Sequence, residues 1–295
     1  MPDASRPPAV SIGMPVYNGA DYVAEAIESV LAQSFGDFEL IVADNASTDA
    51  TAAIAARYAE ADPRVRLIRH EANLGGAPNF NFVFGEARAP LFKWAAHDDV
   101  LEPDYLSETT ALLARRPDAV IAHCASAVID ETGTRLAGPD PRRLDGPSPS
   151  ARIRRLVRMG YFTELFGLFR ADALARTRLM GRHVSADRVL MAELLMLGDV
   201  AYAERCLFLR RDHAAAYVRQ SNDPLAQAKW FDVRAKRGRR NRWLKRSARL
   251  IGAVAAAPIP PLEKARATGG ILAWHGRVVV GGLLGPARRG GPAPR

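Results

Sequence analysis

Cysteine is nearly absent. Cys124 and Cys206 are the only two in 295 residues, and neither belongs to a CxxC pair. That excludes a disulfide framework and a cysteine-built metal cluster, and leaves both as small buried hydrophobes of a protein expected in a reducing cytoplasm. Long apolar runs are missing too: nothing approaches the roughly 18 residues of a membrane-spanning helix. The opening MPDASRPPAVSIGM has no basic segment leading into an apolar one, so a secretory leader is not expected. Two phosphate-holding motifs are also lacking. GMPVYNG stands where a dinucleotide enzyme would carry GxGxxG, and no GxxxxGK[ST] occurs anywhere, which argues against Rossmann oxidoreductases and P-loop NTPases. No internal repeat is found.

Acid is scarce in one place. The net charge is +9, and Lys229 to Arg249 holds a single acid, Asp232. Such a segment is either a solvated helix face or a surface for an anionic partner, nucleic acid or membrane.

What the chain does have is alternation. Short apolar runs, AVSIGMPVY (9–17), FELIVAD (38–44), VRLIRH, LFKWAAH and AVIAHCASAVID, read as strands. Between them lie helix-length segments, ADYVAEAIESVLAQS, TDATAAIAARYAEAD with Ser47 or Thr48 as cap, and APNFNFVFGEAR. This order predicts an α/β fold, a mostly parallel sheet flanked by helices. GPDPRRLDGPSPS (138–150) reads as a loop, SADRVLMAELLMLGD as a helix, AERCLFLRRDHAAAY as a strand with a polar loop. The chain beyond Pro224 reads as basic and helical, ending in a frayed, glycine-punctuated tail. Phe92 and Trp94 read as core.

Ligands of such sheets bind beyond the carboxyl ends of the strands. Pro15 to Asn18, Asp44 with Asn45, and Asp98 with Asp99 all fall at strand ends, so three polar segments converge on one edge. Adjacent carboxylates at the end of a buried run repel each other and are costly to desolvate unless a cation joins them. A divalent ion carrying a phosphorylated ligand fits that need.

MPVYN (14–18), DNASTDAT (44–51), NLGGAPNFN (73–81) and WAAHDD (94–99), in this order, resemble the inverting family 2 glycosyltransferases. The likeness covers roughly Val10 to His213 and is most specific in the first hundred residues. It implies the A-type glycosyltransferase fold, with residues 8–222 as the catalytic domain, 8–100 its nucleotide-binding half, 101–222 its acceptor half, and 223–295 a basic helical extension. By the same resemblance Pro15, Tyr17 and Asn18 line the base and ribose pocket, and Asp44 accepts from the imide N–H of a uracil or thymine. Asn73, Gly75 and Asn79 belong to a turn that lets backbone approach the nucleotide. Asp98 faces the ribose or sugar, and Asp99 binds the metal, Mn2+ or Mg2+. His97 stands where many relatives carry a further acid, and Asn45 and Ala46 where they carry acid and glycine. Asp187 takes the place of the catalytic base, although Ala186 replaces the acid before it; otherwise Asp187 caps its helix, with Glu193 as the fallback base. Arg211 and His213 would meet the diphosphate or the metal, and GLFR (167–170) would shape the sugar pocket.

The implied partners are a UDP- or dTDP-sugar donor and a glycan or lipid-linked acceptor of the cell envelope. The basic segment would then hold the enzyme peripherally at the anionic inner membrane face. Two rivals are a nucleotidyltransferase-like enzyme, which would want a basic glycine-rich loop after the first strand, and a basic nucleic-acid-binding protein, which leaves the four motifs unexplained.

Overall fold

The computed structural model describes residues 6–214, 224–236 and 242–283. In chain order the elements are β1 (Val10–Val16), α1 (Val23–Leu31), β2 (Phe38–Asp44), α2 (Thr51–Ala61), β3 (Val65–Arg69), α3 (Gly76–Gly85), β4 (Leu91–Trp94), β5 (Val100–Leu101), α4 (Tyr105–Arg115), β6 (Ala119–Ile129) and β7 (Arg135–Ala137). Then follow α5 (Pro149–Arg158), β8 (Leu168–Arg170), α6 (Ala171–Ala175), α7 (Ala186–Leu197), β9 (Asp199–Arg211), α8 (Pro224–Phe231), α9 (Arg242–Ala256) and α10 (Pro261–Leu283).

One sheet runs β3-β2-β1-β4-β8-β6-β9-β5, with β7 beside β6. It is the expected α/β sheet flanked by helices, parallel through β3, β2, β1 and β4. Beyond β4 it is mixed: β8 lies antiparallel between β4 and β6, β5 is antiparallel to β9, and β6 and β9 run parallel. β1 and β2 are buried at every position, as strands covered on both faces must be. Alternate residues serve opposite faces: Ile41 and Ala43 join the core under α3 and α7, Leu40 and Val42 the core under α1 and α2. α1 shows the helical counterpart, burying Val23, Ala26, Ile27 and Val30 at spacings of three and four.

Pro15 is tolerated in a central strand because β1 pairs with β4 only as far as Gly13 and Trp94. Trp94 lies fully buried, donates from Nε1 to Phe80 O at 2.9 Å, and meets Phe92 and Phe169 edge-on.

Three local expectations differ from the structure. The cap of α2 is not Ser47 or Thr48; both instead clasp Asn18 across the edge, while Asp49 accepts from Thr51 N. The loop after Gly138 gives way to α5 at Pro149, capped by Ser148. The tail is no frayed end as far as Leu283, because α10 runs straight through Gly269, Gly270 and Gly276. Packing overrides glycine's poor helix propensity there: Ala267 and Ile271 are fully buried in the same core as Leu250 and Val254 of α9 and Leu156 of α5. Glu263 also accepts from Ser150 N. The helices of the basic segment are therefore docked on the rest of the fold, with α10 against α5. Among the described residues no helix is long and apolar enough to cross a membrane.

Candidate active site

The carboxyl ends of β1, β2 and β4 and the far end of β9 meet at one edge of the sheet. The loops after β1 and β2 are laced together. Asn18, at φ 50°, donates its backbone N–H to Ser47 Oγ and accepts from Thr48 N through Oδ1, both at 2.9 Å. Gly19 N donates to Thr51 Oγ1, and a Cβ on Gly19 would strike His97 at 2.3 Å, so glycine is what lets the loop lie against the carboxylate segment. Tyr17 stands free at 44% exposure beside this lacing, available to a planar ligand. Pro15, by contrast, is buried within β1.

Asp44 is fully buried. Its Oδ1 accepts from Ser47 N and its Oδ2 from Arg69 Nε at 3.3 Å, with the exposed Arg69 side chain lying over it. Asn45 organises the neighbouring turn, donating to Asn73 Oδ1 and Gly75 O and accepting from Leu74 N. Gly75 has φ 91°, a conformation that favours glycine. The backbone that closes on this turn belongs to α8: Phe231 O lies 3.2 Å from where a Cβ of Gly75 would sit, and Trp230 covers Gly76. Asn79 is a strut, 2% exposed, donating to Ala43 O and meeting His70 Nε2. The sequence reading assigned Gly75 and Asn79 to the nucleotide; the structure turns Gly75 toward the chain's own helix and occupies both ends of the Asn79 amide.

The paired aspartates divide. Asp98 Oδ2 lies 3.0 Å from His213 Nε2, and the two side chains keep 19% and 10% exposure. Asp99 is buried and accepts from Arg211 N at 2.9 Å. The reading that gave the metal to Asp99 and His213 therefore meets a different pairing, because the chain turns at Asp98 so that its carboxylate, and not Asp99's, points at the histidine. Burial raises the pKa of Asp99 well above the ordinary carboxylate value, and the charge of Asp98 adds to that. Burial also works against ionised Asp98, but the His213 hydrogen bond and the charges of His97 and His213 prevail and hold its pKa below the usual range. One carboxylate of the pair is thus set up to carry the charge.

Arg211 is not free for a diphosphate. Its Nε donates to Asp98 O, its Nη1 to Asp130 O and Glu131 O, and its Nη2 to Glu25 at 2.6 Å, beneath the Tyr22 ring that also contacts His213. The cation facing the carboxylates from the other side is Arg210, which lies over the Tyr161 ring at 4.9 Å and lowers the pKa of Asp99 by its charge. Residues 210 and 211 point to opposite faces because they are neighbours on a strand, and that alternation is the signal that could have separated them.

Asp187 opens α7 in its first turn and is partly exposed. Among the described residues it accepts no hydrogen bond, so it is not consumed as a cap. Its neighbour Arg188 grips Leu156 O and Gly160 O, which ties the start of α7 to the segment carrying Tyr161. Glu193 is withdrawn from any base role, since both its oxygens serve Arg178. In GLFR, Arg170 is spent on the carbonyls of Ala119 and Leu113, and Gly167 leaves a Cβ no room beside Ala122 O at 2.9 Å.

Residues 11–177, more than half of the chain, match the family profile described as glycosyl transferase family 2. The chain belongs to that family. Uncharacterised glycosyltransferases of Rickettsia prowazekii and Rickettsia typhi are 36% and 34% identical to it over 138 residues, which is 46% of this chain and 42% of each relative. The chain thus spans less than half the length of these curated relatives. Among solved structures, S. aureus TarS residues 1–349 superpose with a TM-score of 0.69 at 13% identity, covering 95% of this chain and 75% of TarS. A mannosyltransferase of Pyrobaculum calidifontis, solved with GDP-Man and Mn2+, gives 0.58 at 17% identity, covering 95% and 78%. At such identities the likeness is one of fold, and the fold is the A-type glycosyltransferase fold.

Proposed function

We propose that the chain is an inverting glycosyltransferase that moves a sugar from a UDP- or dTDP-sugar to an acceptor hydroxyl in cell-envelope glycan synthesis. The observation that carries this is the Asp98–His213 pair, set at the sheet edge beside the laced loops that hold Tyr17 and Asp44. The UDP and UDP-GlcNAc complexes of TarS support a uridine donor.

A carboxylate oxygen and a ring nitrogen side by side, partly open to solvent, suit Mn2+ and, less well, Mg2+. Among the described residues no group of three or more His, Cys, Asp or Glu could hold a metal by itself. The diphosphate would have to complete such a site, which is how this donor set differs from a structural metal centre. When bound, the ion would neutralise charge on the leaving diphosphate. Arg210 supplies fixed positive charge on the same edge, a role proposed for it in place of Arg211. Tyr17 stacks on the base, and Asp44 takes the imide N–H once Arg69 moves aside. Asp187 takes the proton of the attacking acceptor hydroxyl, from a carboxylate that no other described group engages. Attack opposite the leaving group inverts the anomeric centre.

The enzyme would work at the inner membrane face. Exposed Trp243 and Leu244 open α9 beside Lys245, with Trp274 of α10 against Trp243, a surface suited to anionic lipid.

The test is UDP release from a panel of UDP-sugars with Mn2+, comparing the wild type with Asp187→Asn. Loss of a catalytic base lowers turnover by about 100-fold or more while leaving donor binding in place. Equal turnover of the two proteins would remove Asp187 from the chemistry.

A further inference from the structure

A cavity of about 300 Å3 lies against β6 and β9, apart from the carboxylate edge. It exists because β9 bulges. Cys124 of β6 pairs with Ala203, and Ala125 pairs with Cys206, so Glu204 and Arg205 are extra residues on the β9 side. Arg205 turns away to Asp104 and Glu108, while Glu204 stays at the cavity rim.

The rim is basic in name only. Arg142 is forked onto Asp140, and Arg143 is paired with Glu204 at 2.8 Å, so the cavity holds no surplus of positive charge for an anion. Besides these paired charges, the lining carries the hydroxyls of Ser126, Thr163 and Tyr202 and the carboxylate of Glu164. Ser126 Oγ meets Thr163 Oγ1 at 3.3 Å, and Thr163 meets His123 Nε2 at 3.0 Å. Glu164 is 2% exposed; its Oε1 accepts from the Tyr202 hydroxyl, and its Oε2 has no partner. Arg143, in the same wall, turns its Nε toward Asp145 at 3.7 Å and its Nη1 to Glu204. An unmet buried acceptor is costly as it stands. A hydroxyl is the neutral group that answers it, giving its proton to the carboxylate. The rings of Phe162 and Tyr202, each with an arginine over one face, line the cavity beside these polar atoms. Hydroxyls around an apolar ring face describe a pyranose, and the volume is at the lower end for a small-molecule pocket.

The cavity also adjoins the chemistry. Phe162 and Thr163 line it, while Tyr161, the residue before them, lies under Arg210 and within the field of Asp98 and Asp99. Residues 159–164 therefore form a partition with the carboxylate edge on one side and the cavity on the other. We infer that the cavity is a saccharide subsite. It takes one pyranose unit of the acceptor glycan, a unit other than the one that receives the new sugar. This rests on the glycosyltransferase reading above.

The test is saturation-transfer NMR on the full chain with UDP and Mn2+ present. The probes are the methyl glycosides of glucose, galactose, mannose, N-acetylglucosamine and rhamnose at millimolar concentration. At least one is expected to bind, and Glu164→Gln should weaken it by about tenfold, the value of one hydrogen bond to a charged group. Ser126→Leu, which fills the cavity from β6, should abolish it. UDP binding, measured in parallel, should be unchanged in both variants. Intact UDP binding with no glycoside bound, or glycoside binding indifferent to both variants, overturns the subsite and leaves the transferase reading standing. Absence of UDP binding by the wild type is instead the failure of that reading.

Discussion

His123 makes the fold sensitive to acid, and the size of the effect follows from its surroundings. The ring is 1% exposed in the middle of β6, with Nδ1 3.1 Å from the Tyr105 hydroxyl and Nε2 3.0 Å from Thr163 Oγ1. Burial, helped by the nearby Lys93 amine, pushes its pKa down to about 3 from an ordinary 6.5. The folded chain keeps the imidazole neutral where the unfolded chain takes up a proton. The stability tied to this residue is therefore whole above pH 6.5 and is lost progressively as pH falls toward 3. Each pH unit in that window costs about 1.4 kcal/mol, so moving from 6.5 to 5 costs about 2 kcal/mol. His123→Gln keeps a donor and an acceptor for Tyr105 and Thr163 but does not titrate. Urea unfolding of both proteins at pH 7 and pH 5 isolates the histidine, because the other groups cancel in the difference. The wild type should lose about 2 kcal/mol more than the variant. Equal losses would refute the claim that the buried ring stays neutral.

Two further outcomes follow from the same structure. Arg211→Ala should destabilise the fold by about 3 kcal/mol in urea unfolding, because the carbonyls of Asp98, Asp130 and Glu131 lose a buried partner; unchanged stability would return Arg211 to the list of ligand-binding residues. Wild-type protein should co-sediment with anionic vesicles at low salt and be released at high salt, since the attraction of its basic helices is screened over about 10 Å at 0.1 M. Failure to bind at low salt removes the membrane from the account.

Strands and site edge were legible to different degrees. FELIVAD coincides with β2 because the apolar run Leu40–Ala43 ending in a polar residue is the signature of a strand buried on both faces, and its one inner acid, Glu39, is met by Ser11 and Arg88. The same rule placed Asp44, Asp98 and Asp99 at strand ends. That β8 lies antiparallel between β4 and β6 is a matter of long-range pairing, which the three residues Leu168 to Arg170 do not encode. The choice between Arg210 and Arg211 needed the facing of β9, which depends on a bulge at Glu204 and Arg205 that only tertiary pairing reveals. Gly75 belongs to the turn expected of it, but Asn79 lies inside α3, and their partners are Ala43, His70 and α8, the last from a segment about 150 residues away in the chain. Glu25, which holds Arg211, is an ordinary exposed acid in sequence and gains its meaning only from the guanidinium packed against it. Helix α10 tolerates its five glycines because Ala267 and Ile271 bury against α5, an effect of packing that propensity alone misjudges.

The most direct measurement is calorimetric titration of UDP into the wild type and Asp98→Ala, each with and without Mn2+. Manganese should tighten UDP binding to the wild type and leave the variant's weaker binding unchanged. A manganese effect of the same size in both proteins would contradict the assignment of the metal and diphosphate to the Asp98–His213 pair.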